Sequence, residues 1–422
     1  MRVLIINTSE TTGGAAVAAN RLKEALNNNG VQAKMLVRDK QTNDDNIVAI
    51  KSSYKTKWNK LWERFCIYYN LNFDKTNLFA IDIANIGTDI TSIKEFKEAD
   101  VIHLSWINQG MLSLNNIKKI ILSGKAIVWT MHDLWPASSI CHYAHGCEGF
   151  HNGCTICPLL PNKNNKLAQR VYNKKKKIIE KGHIHFVSCS NWLAQQAKKS
   201  GILTNQFITN IPNPIDTTIF KPLDKIYCRN KLNLPIEKKI ILFASQKVTD
   251  KRKGMEYFIK AMELLKTSCP ETKENIEIAL LGGHSEDLID KLPFKVHNIG
   301  YISEASLINI VYNAADTFVL PSLEDNLPNT IMESMACGIP CVGFNVGGIP
   351  EMIEHRSTGY IAKAKDYNDL ANGIYWILYE ADYNSLYKSS LEKVKDCYSQ
   401  KSVAKKYLDI YKQAIKKTNI IK

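Results

Sequence analysis

Unbroken apolar runs, each followed by a glycine-bearing break and then a helical pattern, dominate the chain. RVLIIN (2–7) is such a run, the pattern of a strand buried on both faces. TSETTGG interrupts it. AAVAANRLKEALNNNG then carries apolar residues at helical spacing and predicts a helix ending at Gly30. VQAKMLVR restarts an apolar run and completes a strand–helix–strand unit, for which a parallel, right-handed crossover is the default. ADVIHLSW (99–106), GKAIVWTMHD (124–133) and IHFVSCS (184–190) predict further parallel strands, the last leading into the helix NWLAQQAKKSG. Between 51 and 95 the patterning is weak, with aromatic-rich helical stretches such as WNKLWERFCIYYNL.

ITNIPNPIDTTIFKP (208–222) carries three prolines and little periodicity, and reads as a linker. After it the alternation begins again. KKIILFAS (238–245), IEIALLGG (276–283), KVHNIGY (295–301), ADTFVLPS (315–322) and IPCVGFN (339–345) are strand-like, each with a helix after it, and 367–417 reads as helical throughout. The expected fold is α/β, with two Rossmann-like domains facing one another across a cleft. The expected divisions are 1–207, 208–395 and a final helix, 396–422, crossing back to the first domain. In such sheets ligands bind outside the carboxyl ends of the strands, so chemistry is sought just after each strand.

Composition changes this picture little. With 422 residues, 45% hydrophobic and 23% charged, the chain is long enough for large cores that need no staple. The net charge of +14 implies an anionic partner, and much of it lies in 170–185 and 245–262. MRVLIINTSE turns polar too quickly for a signal peptide, and no apolar stretch is long enough to span a bilayer, so a cytoplasmic protein is expected. Nucleic acid is not an expected partner: no helix-turn-helix, aromatic–basic RNA motif or standard finger spacing is present.

Four places carry candidate chemistry. Gly13 and Gly14 follow the first strand and open the first helix, where backbone N–H groups can meet an anion. His132 ends the strand IVWTM and is placed to hydrogen-bond a substrate hydroxyl or move a proton. Arg252 and Lys253 precede Gly254 and a helix, a fork and a point charge suited to a diphosphate. Asp325 and Glu333 lie eight residues apart around a helix start. Glu333 is placed to accept from a vicinal diol such as a ribose, and Asp325 or Glu324 from a hexose. Separately, Cys141, Cys147, Cys154 and Cys157 stand at C-x5-C-x6-C-x2-C, a spacing open to structural zinc, reduced packing thiols or disulfides.

With these pieces in order, the sequence resembles the retaining family 4 glycosyltransferases of the GT-B fold. GGAAVAANRL, VSCSNWL, IPNPIDTTIF, IGYISEASL, NAADTFVLPS, MESMACGIPCV and VGGIPEMI carry the resemblance along nearly the whole chain. HLSWINQGMLSL, VWTMHDLWPASSICHY and CTICPLLP point to a bacterial subgroup with a Cys-rich loop after the His-Asp pair. The resemblance implies transfer of a sugar, with retention, from a UDP or GDP sugar to a growing surface glycan, possibly lipid-linked, beside an anionic membrane surface. It implies no metal for catalysis. By the same resemblance Glu333 holds the ribose, and Asp325 with the backbone of Asn326 and Leu327 meets the sugar. Lys253 with Arg252 takes the diphosphate, His132 the C6 side of the sugar, and Gly13 and Gly14 form the loop beside the diphosphate. Asp325 departs from the family's usual Glu, and Asn326-Leu327-Pro328 replace its usual Gly-Phe-Gly. A GT-B epimerase or phosphorylase is the alternative reading.

Overall fold

The structure is a computed structural model that describes residues 1–50 and 53–421. Its strands, numbered in chain order, are β1 (Arg2–Ser9), β2 (Gln32–Asp39), β3 (Ile47–Ala49), β4 (Val101–Leu104), β5 (Ala126–Met131), β6 (Ile184–Ser188) and β7 (Phe207–Asn210), then β8 (Lys239–Lys247), β9 (Ile276–Gly283), β10 (Val296–Gly300), β11 (Thr317–Leu320), β12 (Cys341–Phe344) and β13 (Gly359–Ala362). The helices are α1 (Gly14–Asn27), α2 (Ser53–Asn70), α3 (Lys94–Glu98), α4 (Leu114–Ile121), α5 (Leu167–Ile179), α6 (Asn191–Lys198), α7 (Lys225–Lys231) and α8 (Met255–Ser268), then α9 (Glu286–Ile289), α10 (Ala305–Ala314), α11 (Asn329–Ala336), α12 (Ile349–Met352), α13 (Tyr367–Tyr375), α14 (Tyr383–Lys393) and α15 (Gln400–Ile421).

The chain forms two compact units. The first is Met1–Asn213 with Val403–Lys422, and the second is Pro214–Ser402. The first division falls later than position 207 because β7 pairs with β6 and completes the first sheet. The second falls at 402, where α15 leaves one core for the other. The tail is helical in separate pieces, interrupted at Ala381 and Ser399 where the backbone is extended.

The first unit holds a seven-stranded parallel sheet in the order β3-β2-β1-β4-β5-β6-β7. Successive side chains of a strand point to opposite faces, and here both faces are covered. Leu4, Ile6, Ile102, Leu104, Ile127 and Trp129 enter one core. Val3, Ile5, Val101 and Val128 enter the other, against Leu22 and Leu26 of α1 and Val403, Tyr407 and Tyr411 of α15. That double burial is why β1 is an unbroken apolar run. α15 is also latched by polar contacts. His103 on β4 bonds the Tyr411 hydroxyl at 2.6 Å, and the Tyr407 hydroxyl meets Thr130 Oγ1 at 2.9 Å.

The second unit holds a six-stranded parallel sheet in the order β10-β9-β8-β11-β12-β13. Its core joins β8, β9, β11 and β12 to Phe258, Met262 and Leu265 of α8 and to Leu370 and Ile374 of α13. In each sheet the strand order reverses once, between β1 and β4 and between β8 and β11. Loops leaving neighbouring strands in opposite directions open a crevice there, and the carboxyl ends of these strands carry the residues described next.

Candidate active site

In the second unit, the loop after β8 ends in a short turn, Lys251–Lys253. Asp250 caps that turn by accepting from Arg252 N at 3.0 Å. Gly254 follows at φ 76°, and a Cβ there would stand 1.8 Å from the Pro321 carbonyl oxygen. Glycine is therefore required where this loop crosses the one after β11. Leu323 N donates to the Arg252 carbonyl at 2.8 Å and fastens the two loops together.

That clamp brings the ions together. Lys253 Nζ lies 2.5 Å from Asp325 Oδ2, and Arg252 Nη1 lies 3.3 Å from the same oxygen. Arg252 Nη1 also donates to the Glu324 carbonyl at 2.8 Å, and Ser322 Oγ donates to Asp325 Oδ2 at 3.2 Å. Gly347, at φ 58°, lets the chain pass against the Asp325 carbonyl, which accepts from Gly348 N at 3.1 Å. Burial alone would raise the Asp325 carboxyl pKa, but Lys253 and Arg252 outweigh it and hold the value below the usual range. Arg252 Nη2 also lies 3.5 Å from Asp250 Oδ2, so two cations are shared between two carboxylates immediately before the α8 N-terminus, whose dipole adds positive potential.

Asn326 and Leu327 are buried in the stretch leading to α11. Glu333 is buried within that helix, and its Oε2 accepts from the Tyr312 hydroxyl of α10 at 2.9 Å. The structure thus gathers Arg252, Lys253, Glu324 and Asp325 into one contact network, whereas Glu333 is held through α10.

The first unit carries Gly13, Gly14 and His132. Gly13 caps α1 at φ 95°, with open space where a Cβ would stand, so the glycine serves the backbone conformation. The β1 and β4 loops are tied together: Asn7 Oδ1 accepts from Trp106 N at 2.8 Å, and Thr8 N donates to the Trp106 carbonyl at 2.7 Å. His132 follows β5. Its Nε2 shares a hydrogen bond of 2.8 Å with Ser105 Oγ, and its Nδ1 lies 3.6 Å from Cys189 Sγ. Burial outweighs the nearby Asp133 carboxylate and pushes the His132 pKa down to about 4, so the ring is neutral at neutral pH.

Behind His132 lies a network that the sequence reading missed. Asp133 Oδ2 accepts from Trp106 Nε1 at 2.9 Å and from His142 Nδ1 at 2.7 Å, and Asp133 Oδ1 accepts from Trp135 N at 2.9 Å. The other nitrogen of His142 donates to Asp82 Oδ2 at 2.7 Å, and Arg64 pairs with the far oxygen of Asp82. Burial opposes a charge on His142, but Asp133 and Asp82 prevail and push its pKa up to about 10. A buried imidazolium between two carboxylates therefore braces the segment that carries His132. Asp82 sits in the weakly patterned stretch, where no spacing marks it.

The four cysteines line one small apolar pocket with Phe150, Leu159 and Ala168. Burial raises the Cys141 thiol to about 12 and the Cys154 thiol to about 11. Among the described residues, no group of three or more His, Cys, Asp or Glu side chains is placed to hold a metal ion. All eleven cysteines are free thiols, so of the readings the spacing left open none of the four is in a disulfide. The wall of the loop is braced by Lys175. Its Nζ donates to the carbonyls of Trp135, Ser138 and Ser139 at 2.7–2.9 Å and stands 3.5 Å from the Trp135 ring centre.

Comparison with known proteins now bears on this geometry. A model described as Glycosyltransferase Family 4 matches residues 12–219, and one described as Glycosyl transferases group 1 matches 238–380. The chain belongs to the group 1, family 4 glycosyltransferases. An uncharacterized glycosyltransferase of Methanocaldococcus jannaschii is 28% identical over 46% of this chain and 49% of its own length. The N-acetyl-alpha-D-glucosaminyl L-malate synthase of Bacillus anthracis is 23% identical over 49% of this chain and 54% of its own. The chain thus spans about half the length of these relatives. Among solved structures, sucrose-phosphate synthase from Thermosynechococcus elongatus superposes with a TM-score of 0.68 at 19% identity, covering 98% of both chains. Anabaena HepE in complex with UDP-glucose gives 0.66 at 13% identity, covering 98% of this chain and all of its own. At these identities the likeness shows the fold, two Rossmann-like α/β domains of the GT-B class.

Proposed function

We propose that the protein moves a hexose from a nucleotide-diphosphate sugar, UDP or GDP, to a hydroxyl of a growing bacterial surface glycan, with retention at the anomeric carbon. The observation that carries this reading is the Asp325-held pair Arg252 and Lys253, set before α8 at the reversal of the second sheet. It is a preformed cradle for a leaving diphosphate. As the bond from the anomeric carbon to the phosphate oxygen breaks, negative charge grows on the diphosphate. Lys253, Arg252 and the α8 N-terminus stabilise that charge. The acceptor oxygen attacks from the same face, and its proton passes to the departing phosphate oxygen, so no protein general base is assigned. Neutral His132, fixed by Ser105 through Nε2, would meet a sugar hydroxyl through Nδ1 in place of its long contact with Cys189. Glu333 takes the ribose diol and the Asp325–Leu327 segment meets the sugar. Among the fold relatives, HepE is described in complex with UDP-glucose.

The acceptor we favour is a lipid-linked glycan. It would be met at an anionic membrane surface by a protein otherwise in the cytoplasm, with α5 and its flanks (170–185) as one basic contact. Lys174 and Lys177 are exposed there, whereas Lys175 is buried. No described helix is long and apolar enough to cross a membrane.

A thermal-shift screen of nucleotide sugars tests the donor assignment, because a ligand that binds only the folded state raises the melting temperature by mass action. Glu333→Ala should abolish the shift, and an unchanged shift would remove Glu333 from the ribose. Donor turnover without an added acceptor, above slow hydrolysis, would favour an epimerase instead.

A further inference from the structure

Helix α2 is built inside out. Its inward residues, Thr56, Asn59, Glu63 and Ile67, are buried at helical spacing, and all but one are polar. Glu63 accepts from Ile83 N and Ala84 N, and Asn59 donates to Thr88 Oγ1 at 3.2 Å. The opposite face presents Tyr54, Trp58, Leu61, Trp62, Phe65 and Tyr69, each between 40% and 89% exposed. At 3.6 residues per turn these six positions form one continuous stripe. The rings lie against one another, Trp58 on Trp62 at 6.1 Å and Trp62 on Phe65 at 5.9 Å. Folding of this unit gains nothing from turning six large apolar side chains outward while burying Thr, Asn and Glu. Such a contiguous apolar patch marks an interaction surface.

Charge identifies what covers it. Lys55 and Lys57 lie exposed on the two edges of the stripe, and Lys60 is exposed beyond them. The helix's one carboxylate, Glu63, is turned inward. Trp and Tyr favour the boundary between headgroups and acyl chains, and lysines at the edges of an apolar face reach headgroup phosphates. The whole chain carries +14.

We propose that the aromatic face of α2 seats the protein on an anionic lipid bilayer, with its rings at the acyl boundary and Lys55 and Lys57 on the headgroups. This deepens the proposed function by naming the surface that meets the membrane, and it rests on that reading for its purpose. The binding itself is measured without donor or acceptor.

The test uses the full chain with vesicles of phosphatidylglycerol and phosphatidylcholine, against phosphatidylcholine alone. Co-sedimentation should favour the anionic vesicles, and lipids brominated in the acyl chain should quench tryptophan emission. Trp62→Ser with Phe65→Ser should lower partitioning by about tenfold or more and remove the quenching. Lys55→Glu with Lys57→Glu should remove the preference for anionic vesicles. All these side chains are exposed, so melting temperature and the nucleotide-sugar shift should stay at wild-type values. A lost sugar shift in wild type would count against the transferase reading alone. Unchanged vesicle binding in the aromatic variant would overturn the proposal, as would binding lost only in Lys174→Glu with Lys177→Glu. So would a wild-type chain that ignores vesicles and forms a dimer that the aromatic variant cannot.

Discussion

After β5 of the first sheet, beside the β4 loop, the chemistry is a half-buried neutral histidine, and the charges lie behind it, buried and paired. At the reversal of the second sheet the charges stand at the front, two cations shared between Asp325 and Asp250. The first arrangement fixes the direction of a hydrogen bond. The second holds two cations and a helix N-terminus in place for an anion that has yet to form. One parallel-sheet architecture, with the same reversal of strand order, therefore supports two kinds of preorganisation. The difference comes from which side chains the loops carry.

Removing the buried charge behind His132 should break this contrast most severely. His142→Gln leaves Asp82 and Asp133 without their shared cation and should cost about 3–5 kcal/mol in denaturant unfolding. Lys253→Ala leaves Arg252 to balance the buried Asp325, so it should cost less stability than His142→Gln, and it should lower kcat/KM for sugar transfer by about 10²–10³-fold, the scale expected for one donor at a developing charge. Lys175→Ala, which strips three carbonyls of their partner, should cost about 1–3 kcal/mol. Its exposed neighbour, Lys174→Ala, should stay within about 0.5 kcal/mol.

The pH dependence separates His142 from Asp325 by sign. His142 is raised from about 6.5 unfolded to about 10 folded. Its stabilisation is full below the unfolded value and is lost as pH rises through the folded one. Glu63 is pushed up to about 7 by burial and by Asp82, and adds a decline of the same sign at lower pH. Asp325 is lowered instead, so its contribution is present above the unfolded value and is lost as pH falls through the folded one. Unfolding free energies across the pH range should show His142→Gln flattening the alkaline decline and Asp325→Asn flattening part of the acid one. Equal effects of both variants at both ends would dissolve the comparison.

Much of the fold was legible in the chain because interior strands of a parallel sheet are buried on both faces, which leaves apolar runs such as RVLII and FVL. β3, β7 and β13 escaped notice. Each is a strand of three or four residues at a sheet edge, where half the contacts that enforce an apolar run are missing. The site residues after β5, β8 and β11 could be picked out by position, since a polar or glycine-bearing break after a buried strand is itself a signal.

Local sequence thus determined the alternation of strands and helices, the places where chemistry could sit, and the residue types available there. It did not determine which charges would meet. Lys253 finds Asp325 across 72 residues, and His142 finds Asp82 across 60. It also left open which face of α2 would be turned outward, because an aromatic-rich helix reads the same from either side. Those outcomes belong to the tertiary structure. Packing alone decides which side chains lose water together, and a charge or a ring takes its role from what replaces that water.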